Sequence, residues 1–213
     1  MVAGFAQSAP NPTLLRFAAE ERGRGAGRAL DLGCGAGRNA VPLANLGWKV
    51  VGIDLSGPML HAAAERGRSE CPEGNLSLVM APMEHLPIAS ASVDLVIAHG
   101  IWNLSRSAAQ FRRAICGAAV VARPGAGLFV FTFSRTTLPE TLEPVSGEPF
   151  VFTEFSGEPQ CFLTREQLIE ELGKAGFIPD SGVPLTEHSR PRPDALRAAG
   201  PPVIYEGAFR RAG

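Results

Sequence analysis

The feature that most constrains this chain is the run at residues 29–56. Ala-Leu-Asp-Leu leads into Gly33-Cys34-Gly35-Ala36-Gly37-Arg38, an apolar stretch follows, and Lys49-Val-Val-Gly-Ile-Asp54 closes the unit. A short apolar run, a glycine turn, a helix and a second apolar run ending in an acid make a strand–loop–helix–strand unit with parallel strands and a right-handed crossover. Gly33, Gly35 and Gly37 allow left-handed backbone and remove Cβ atoms, so a ligand can lie against the main chain where the helix N-terminus offers free N–H groups. Asp54, at the carboxyl end of the second strand, is placed to accept hydrogen bonds from ribose hydroxyls. The unit is built for an adenosine-containing ligand.

The glycine spacing narrows the choice of ligand. A dinucleotide fingerprint reads Gly-x-Gly-x-x-Gly, whereas here the third glycine comes one residue early and Arg38 takes the remaining slot. Asp31 also puts a carboxylate where a pyrophosphate would sit, which disfavours a polyanion and suits a ligand carrying an ammonium or sulfonium charge. S-adenosyl-L-methionine carries both, and an NAD(P)-binding oxidoreductase becomes the weaker alternative.

The stretch Asp31-Leu-Gly-Cys-Gly-Ala-Gly-Arg38, followed by Gly52-Ile-Asp-Leu-Ser-Gly-Pro-Met-Leu60, resembles the class I S-adenosylmethionine-dependent methyltransferases. The likeness is in particular to the broad group that includes the ubiquinone-biosynthesis methyltransferases. It extends over residues 14–133, with Val93-Asp94-Leu95-Val96 matching the family's fourth strand and Ala122-Arg123-Pro124-Gly125 the turn before its fifth. The resemblance implies a three-layer α/β/α Rossmann-like sandwich around a mostly parallel seven-stranded sheet whose last strand is antiparallel.

It also implies roles for residues. Asp31, Gly33, Gly35 and Gly37 would serve the methionine and ribose portion of the cofactor, Asp54 the ribose hydroxyls, and Leu55 the adenine face. The family's adenine-holding acid after strand three is replaced by Pro82, which passes adenine recognition to the Met83 backbone helped by Glu84. That replacement leaves room for a non-catalytic S-adenosylmethionine-binding sensor or partner subunit. Arg38 either reaches the methionine carboxylate or is a surface arginine at a helix start.

Composition excludes other classes. With 213 residues, 45% of them hydrophobic, the chain can bury a sizeable core as one methyltransferase domain. A net charge of −1 gives no footprint for nucleic acid, and no Asn/Asp-Pro-Pro-aromatic motif follows the fourth strand. The four cysteines are scattered without a C-x-x-C pair, so neither a disulfide framework nor a metal site is expected. No charged-then-apolar leader opens the chain and no apolar run approaches the ~20 residues of a membrane span, so the expected setting is cytoplasmic, away from membranes.

Along the chain, residues 1–10 read as a flexible start, and Asn11-Pro12 as a capped helix start. Strands are expected at 28–32, 49–54, 76–80, 93–98, 128–133, 177–183 and 203–209, with helices at 38–46, 58–66, 108–122 and 165–175. Two segments exceed the minimal plan: residues 134–163, with a hairpin about Ser156-Gly157-Glu158-Pro159 and a lid role in prospect, and the polar loop at 184–202. Both emerge at the sheet edge where such folds bind ligands, so they are expected to build the pocket of a small-molecule methyl acceptor.

Acceptor chemistry is sought first after the fourth strand, in His99-Gly-Ile-Trp102-Asn103. His99 has an imidazole suited to base catalysis near neutrality, or it borders the cofactor through its backbone. Trp102 is a pocket wall or core; Asn103 orients the acceptor or caps the next helix. His188, Arg190 and Arg192 form a second polar cluster, which would favour a carboxylate or phosphate on the substrate if it faces the pocket.

Overall fold

The computed structural model describes residues 9–71, 73–189 and 201–213. Residues 1–8 of the flexible start expected at 1–10 and most of the 184–202 loop, including Arg190 and Arg192, lie outside the described residues.

Asn11 opens helix α1 (Pro12–Gly23), its Oδ1 accepting from the Leu14 N–H at 3.0 Å with Pro12 pre-set for the first turn. The glycine unit follows as β1 (Arg28–Leu32), α2 (Ala40–Asn45) and β2 (Lys49–Asp54). Helix α3 (Gly57–Glu70) is capped by Ser56 and leads to β3 (Leu76–Met80) and β4 (Val93–His99). A 3-10 turn at Trp102–Leu104 precedes α4 (Ala108–Val121), which runs directly into β5 (Ala122–Phe133). After a second 3-10 turn at Arg135–Thr137 come β6 (Val151–Phe152), β7 (Gln160–Cys161), α5 (Arg165–Lys174), β8 (Phe177–Pro179), β9 (Thr186–His188) and β10 (Ile204–Arg211).

The main sheet has the order β3-β2-β1-β4-β5-β10-β8, with β9 also paired to β10. Strands β1 to β5 are parallel, and β10 is antiparallel to β5, β8 and β9. Side chains alternate across it with period two. Leu30, Leu32, Val96, Leu128 and Val130 face α4 and α5, whereas Ala29, Leu95, Ile97 and Phe129 face α1 and α2. The expected three layers are therefore present.

Among the described residues the sheet has eight strands rather than the expected seven. The sixth position is split: β8 pairs with the far end of β10 and β9 with its near end, around Ile204–Glu206. The strand expected at 177–183 is shorter, Phe177–Pro179, and beyond it the Asp180 N–H still donates to the Ala208 carbonyl and the Ala208 N–H to the Val183 carbonyl, each at 2.9 Å. The polar Thr186-Glu187-His188, expected in a loop, resumes the pairing. Gly207 permits the break: a Cβ there would lie 2.6 Å from Leu185 Cα.

The insertion at 134–163 contains the expected hairpin, with Val151 opposite Cys161 and Phe152 opposite Gln160. Its base is fixed. Phe150, Val151, Cys161 and Leu163 join the main core, where Phe111 stands edge-on to Phe150 at 5.4 Å. The Arg135 guanidinium collects the carbonyls of Leu138, Pro139, Glu140 and Leu142 and lies 4.8 Å over Phe152. The turn carries an exposed aromatic, Phe155, edge-on to Phe133 at 5.3 Å at the carboxyl end of β5.

Candidate cofactor and acceptor site

The glycine turn sits where β1 ends, and its geometry explains its composition. Gly33 has φ +66°, and a Cβ there would meet Ile101 Cδ1 at 2.7 Å; Gly37 has φ +79° and would strike Val41 Cγ2 at 2.7 Å. Side chains at either position would push the turn away from the β4–α4 connection or from α2. Cys34 is a buried packing residue whose thiol burial pushes far up, with its sulfur against the face of Gly52. Asp54 fastens the turn to β2 by accepting from the Gly35 N–H at 2.9 Å and the Ser56 N–H at 2.8 Å.

Asp31 lies beneath this turn, 2% exposed, and its Oδ2 has no partner among the described residues. Burial, and then the charge of Asp54, push its pKa from 3.8 up to about 7, against the pull of the Ala40 N–H and Arg38. A buried carboxylate oxygen without a donor is costly unless a cation supplies one. The residues thus fit a ligand with an ammonium group beside a ribose.

Arg38 and His99 meet over the turn. Arg38 Nη2 lies 3.1 Å from His99 Nε2, and Asn11 Nδ2 lies 3.3 Å from the same nitrogen. Both neighbours donate, so Nε2 accepts and the imidazole is neutral with its proton on Nδ1. Burial, followed by the Arg38 charge, depresses the His99 pKa from 6.5 to about 4. The ring stacks on Phe131 at 4.1 Å. His99 therefore sits at the site as a half-buried acceptor facing Arg38 and Asn11. Asn11 uses its other N–H on Glu206 Oε2 at 2.7 Å.

The adenine side differs from expectation in one residue. Glu84 is turned away to α4, where its Oε1 accepts from Gln110 Nε2 at 3.0 Å, and Met83 packs partly buried against the main core. Leu55 is 66% exposed, and Met80, which pairs with Asp54 at the end of β3, is 61% exposed. Both leave apolar side chains bare near the ends of neighbouring strands.

On the acceptor side, Trp102 is fully buried and edge-on to Phe111 at 6.1 Å, so it belongs to the core and not to a pocket wall. Asn103 does not cap the following helix; Ser107 does, accepting from the Gln110 N–H at 3.1 Å. Asn103 is instead 2% exposed with Oδ1 lacking a partner among the described residues, beside the β7 edge. His188 lies at the ligand edge of the sheet, 2.9 Å from Thr186 Oγ1 and 3.8 Å from Glu206 Oε1.

Sequence reasoning missed Asn11 as a site residue, Met80 and Glu206. Glu206 had a signal, since an acid inside an apolar strand is rarely buried without a partner. Among the described residues, no three His, Cys, Asp or Glu side chains are grouped to hold a metal ion. No helix among them is long and apolar enough to cross a membrane.

Comparison with known proteins decides what this arrangement belongs to. Residues 29–125 match a family described as a methyltransferase domain. Over these residues the chain is similar to that methyltransferase family, in agreement with the resemblance carried by the glycine turn. A ubiquinone/menaquinone biosynthesis C-methyltransferase of Syntrophotalea carbinolica is 40% identical over 121 residues, 54% of this chain and 47% of that protein. The chain thus spans about half the length of the curated relatives it matches.

The methyltransferase fold extends further than the sequence likeness. A Methanosarcina mazei S-adenosylmethionine-dependent methyltransferase superposes with a TM-score of 0.70 at 18% identity, over 96% of this chain and 99% of that one. A Burkholderia thailandensis 1,6-didemethyltoxoflavin-N1-methyltransferase, solved with its substrate and S-adenosylhomocysteine, gives 0.67 at 19%, over 92% and 76%.

Proposed function

We propose that the chain is a methyltransferase that takes S-adenosyl-L-methionine and passes its methyl group by in-line displacement to a small-molecule acceptor. The observation that carries this reading is the buried Asp31 carboxylate, whose Oδ2 has no partner among the described residues, under three left-handed glycines, with Asp54 at the next strand end. The methyltransferase relatives support it. A dinucleotide fits poorly, because its pyrophosphate would be brought against Asp31.

Bound S-adenosylmethionine supplies the electrophilic methyl group; the protein's task is alignment, which is worth on the order of 7–11 kcal/mol. Asp31 holds the ammonium, Asp54 turns its remaining lone pairs to the ribose, and Leu55 with Met80 carries the adenine face. Arg38 brings a buried Nε without a partner among the described residues toward the carboxylate. His99 keeps Arg38 in place and removes no proton. The hairpin turn with Phe155 and His188 at the sheet edge flank the acceptor, and Asn103 orients it. The four cysteines are unpaired, which supports a reducing cytoplasmic setting.

Calorimetry with S-adenosylhomocysteine and with NAD tests the donor half. Tighter binding of NAD overturns the proposal. Turnover of labelled cofactor across a panel of phenols, amines, thiols and enols tests the rest. Cofactor binding without transfer to any of them would favour a sensor or partner subunit.

A further inference from the structure

The contacts around His99 form a relay that begins far from the glycine turn and ends on it. Glu206, on β10, is 8% exposed and accepts from Asn11 Nδ2 at 2.7 Å; the second Asn11 N–H reaches His99 Nε2 at 3.3 Å; and Arg38 Nη2 reaches the same nitrogen at 3.1 Å. Asn11 is itself held on both sides. Its backbone N–H donates to Asn39 Oδ1 at 3.1 Å, just beyond the glycine turn, and its Oδ1 caps α1.

Every donor and acceptor in this relay has one consistent assignment. Arginine only donates, so His99 Nε2 must accept. Glu206 only accepts when ionised, so the Asn11 amide nitrogen must face it, and the remaining N–H of that amide is the one aimed at His99. The groups facing the imidazole are Arg38 from the turn, Asn11 from the α1 cap, Phe131 from β5 and, through Asn11, Glu206 from β10. Arg38 is left with Nε buried and without a partner among the described residues.

We infer that Asn11 is a positioning residue: from the cap of α1 it holds His99 as a neutral acceptor for Arg38, and so fixes where the guanidinium presents Nε to the carboxylate at the amino-acid end of the cofactor. The inference rests on the S-adenosylmethionine reading and adds to it that a residue of the N-terminal helix and an acid of the last strand set the affinity for one part of the cofactor only. Adenosine recognition, through Asp54, Leu55 and Met80, is independent of this relay.

The test uses the full chain with Asn11→Ser and Asn11→Asp. Both keep an oxygen to cap α1, and both remove the amide donors. Calorimetry is run with S-adenosylhomocysteine, which has the carboxylate, and with 5′-methylthioadenosine, which lacks the whole amino-acid end. The variants should lose about tenfold or more in affinity for the first, as expected for a displaced charged hydrogen bond, and stay within about twofold for the second.

Nitrogen NMR of ligand-free protein gives a readout that a structural role would not move. The wild type should show His99 protonated on Nδ1, and Asn11→Asp should raise its pKa by bringing a carboxylate to Nε2. Parallel loss for both ligands, or no loss for either, overturns the inference and leaves the cofactor reading standing. A wild type that binds neither ligand overturns the cofactor reading and this inference with it.

Discussion

Replacing Asp31 by asparagine keeps the shape of the side chain and removes its charge, and the structure makes opposite demands on binding and stability. The carboxylate is 2% exposed and its pKa is raised from 3.8 to about 7. An acid whose folded-state pKa is raised holds its proton more tightly when folded. Its ionisation therefore costs stability above the unfolded value, growing from about pH 4 and complete above about pH 7. At roughly 1.4 kcal/mol per unit the full cost is about 4 kcal/mol.

The Asp31→Asn variant escapes that cost but brings an amide N–H₂ that needs partners, so the net gain at pH 8 should be a fraction of it, about 1–3 kcal/mol. At pH 5 the folded wild-type carboxyl is protonated and the advantage of the variant should shrink by roughly 3 kcal/mol. Binding moves the other way. Loss of a charged hydrogen bond to the ammonium, worth about 1.5–3 kcal/mol, should raise the Kd for S-adenosylmethionine by about 10- to 100-fold. Thermal melts of both proteins at pH 5 and pH 8, with calorimetry at pH 8, read both effects. Parallel melting curves at the two pH values, or unchanged affinity, would refute the argument that Asp31 is a buried charge awaiting a cation.

Three further outcomes are expected. Asp54→Ala should weaken cofactor binding by more than ~1 kcal/mol in calorimetry, because it removes a carboxylate placed for the ribose and frees the Gly35 and Ser56 N–H groups. Gly33→Ala should cost about 1–3 kcal/mol in chemical denaturation and lower cofactor affinity, since φ +66° is strained for alanine and the new Cβ meets Ile101. His99, with its pKa depressed from 6.5 to about 4, contributes stability that is lost as pH falls from about 6.5 toward 4. In turnover it should contribute no pH limb near neutrality. A His99→Asn enzyme that loses an ascending limb between about pH 6 and 8 would restore the base role.

Much of the architecture was legible because parallel sheets covered on both faces need continuous apolar strands, and Leu76–Met80 and Val93–His99 are such runs. Asn11 was readable as a helix cap from its residue type and the proline after it, and it accepts the Leu14 N–H as the rule requires. Trp102 and Asn103 were not legible. The same short connection can turn either side chain inward, and only packing against Phe111 and β7 decides which. The early end of the strand was partly legible, since Pro179 lies inside the expected strand and argues against continuity, but the resumption at Thr186–His188 depends on β10 lying alongside.

By itself, then, the sequence determined the donor half of the site. The glycine spacing, Asp31 and Asp54 lie within one local unit, where spacing alone sets geometry, as it does in any strand–turn–helix–strand motif. Tertiary structure decided the state of those groups. The Asp31 pKa is raised because β1 is buried at the centre of the sheet beside Asp54, and His99 becomes a neutral acceptor because Asn11, 88 positions away, and Arg38, 61 positions away, converge on one nitrogen. Protonation and hydrogen-bond direction depend on desolvation and on neighbours brought from distant parts of the chain, and neither is a property of residue order.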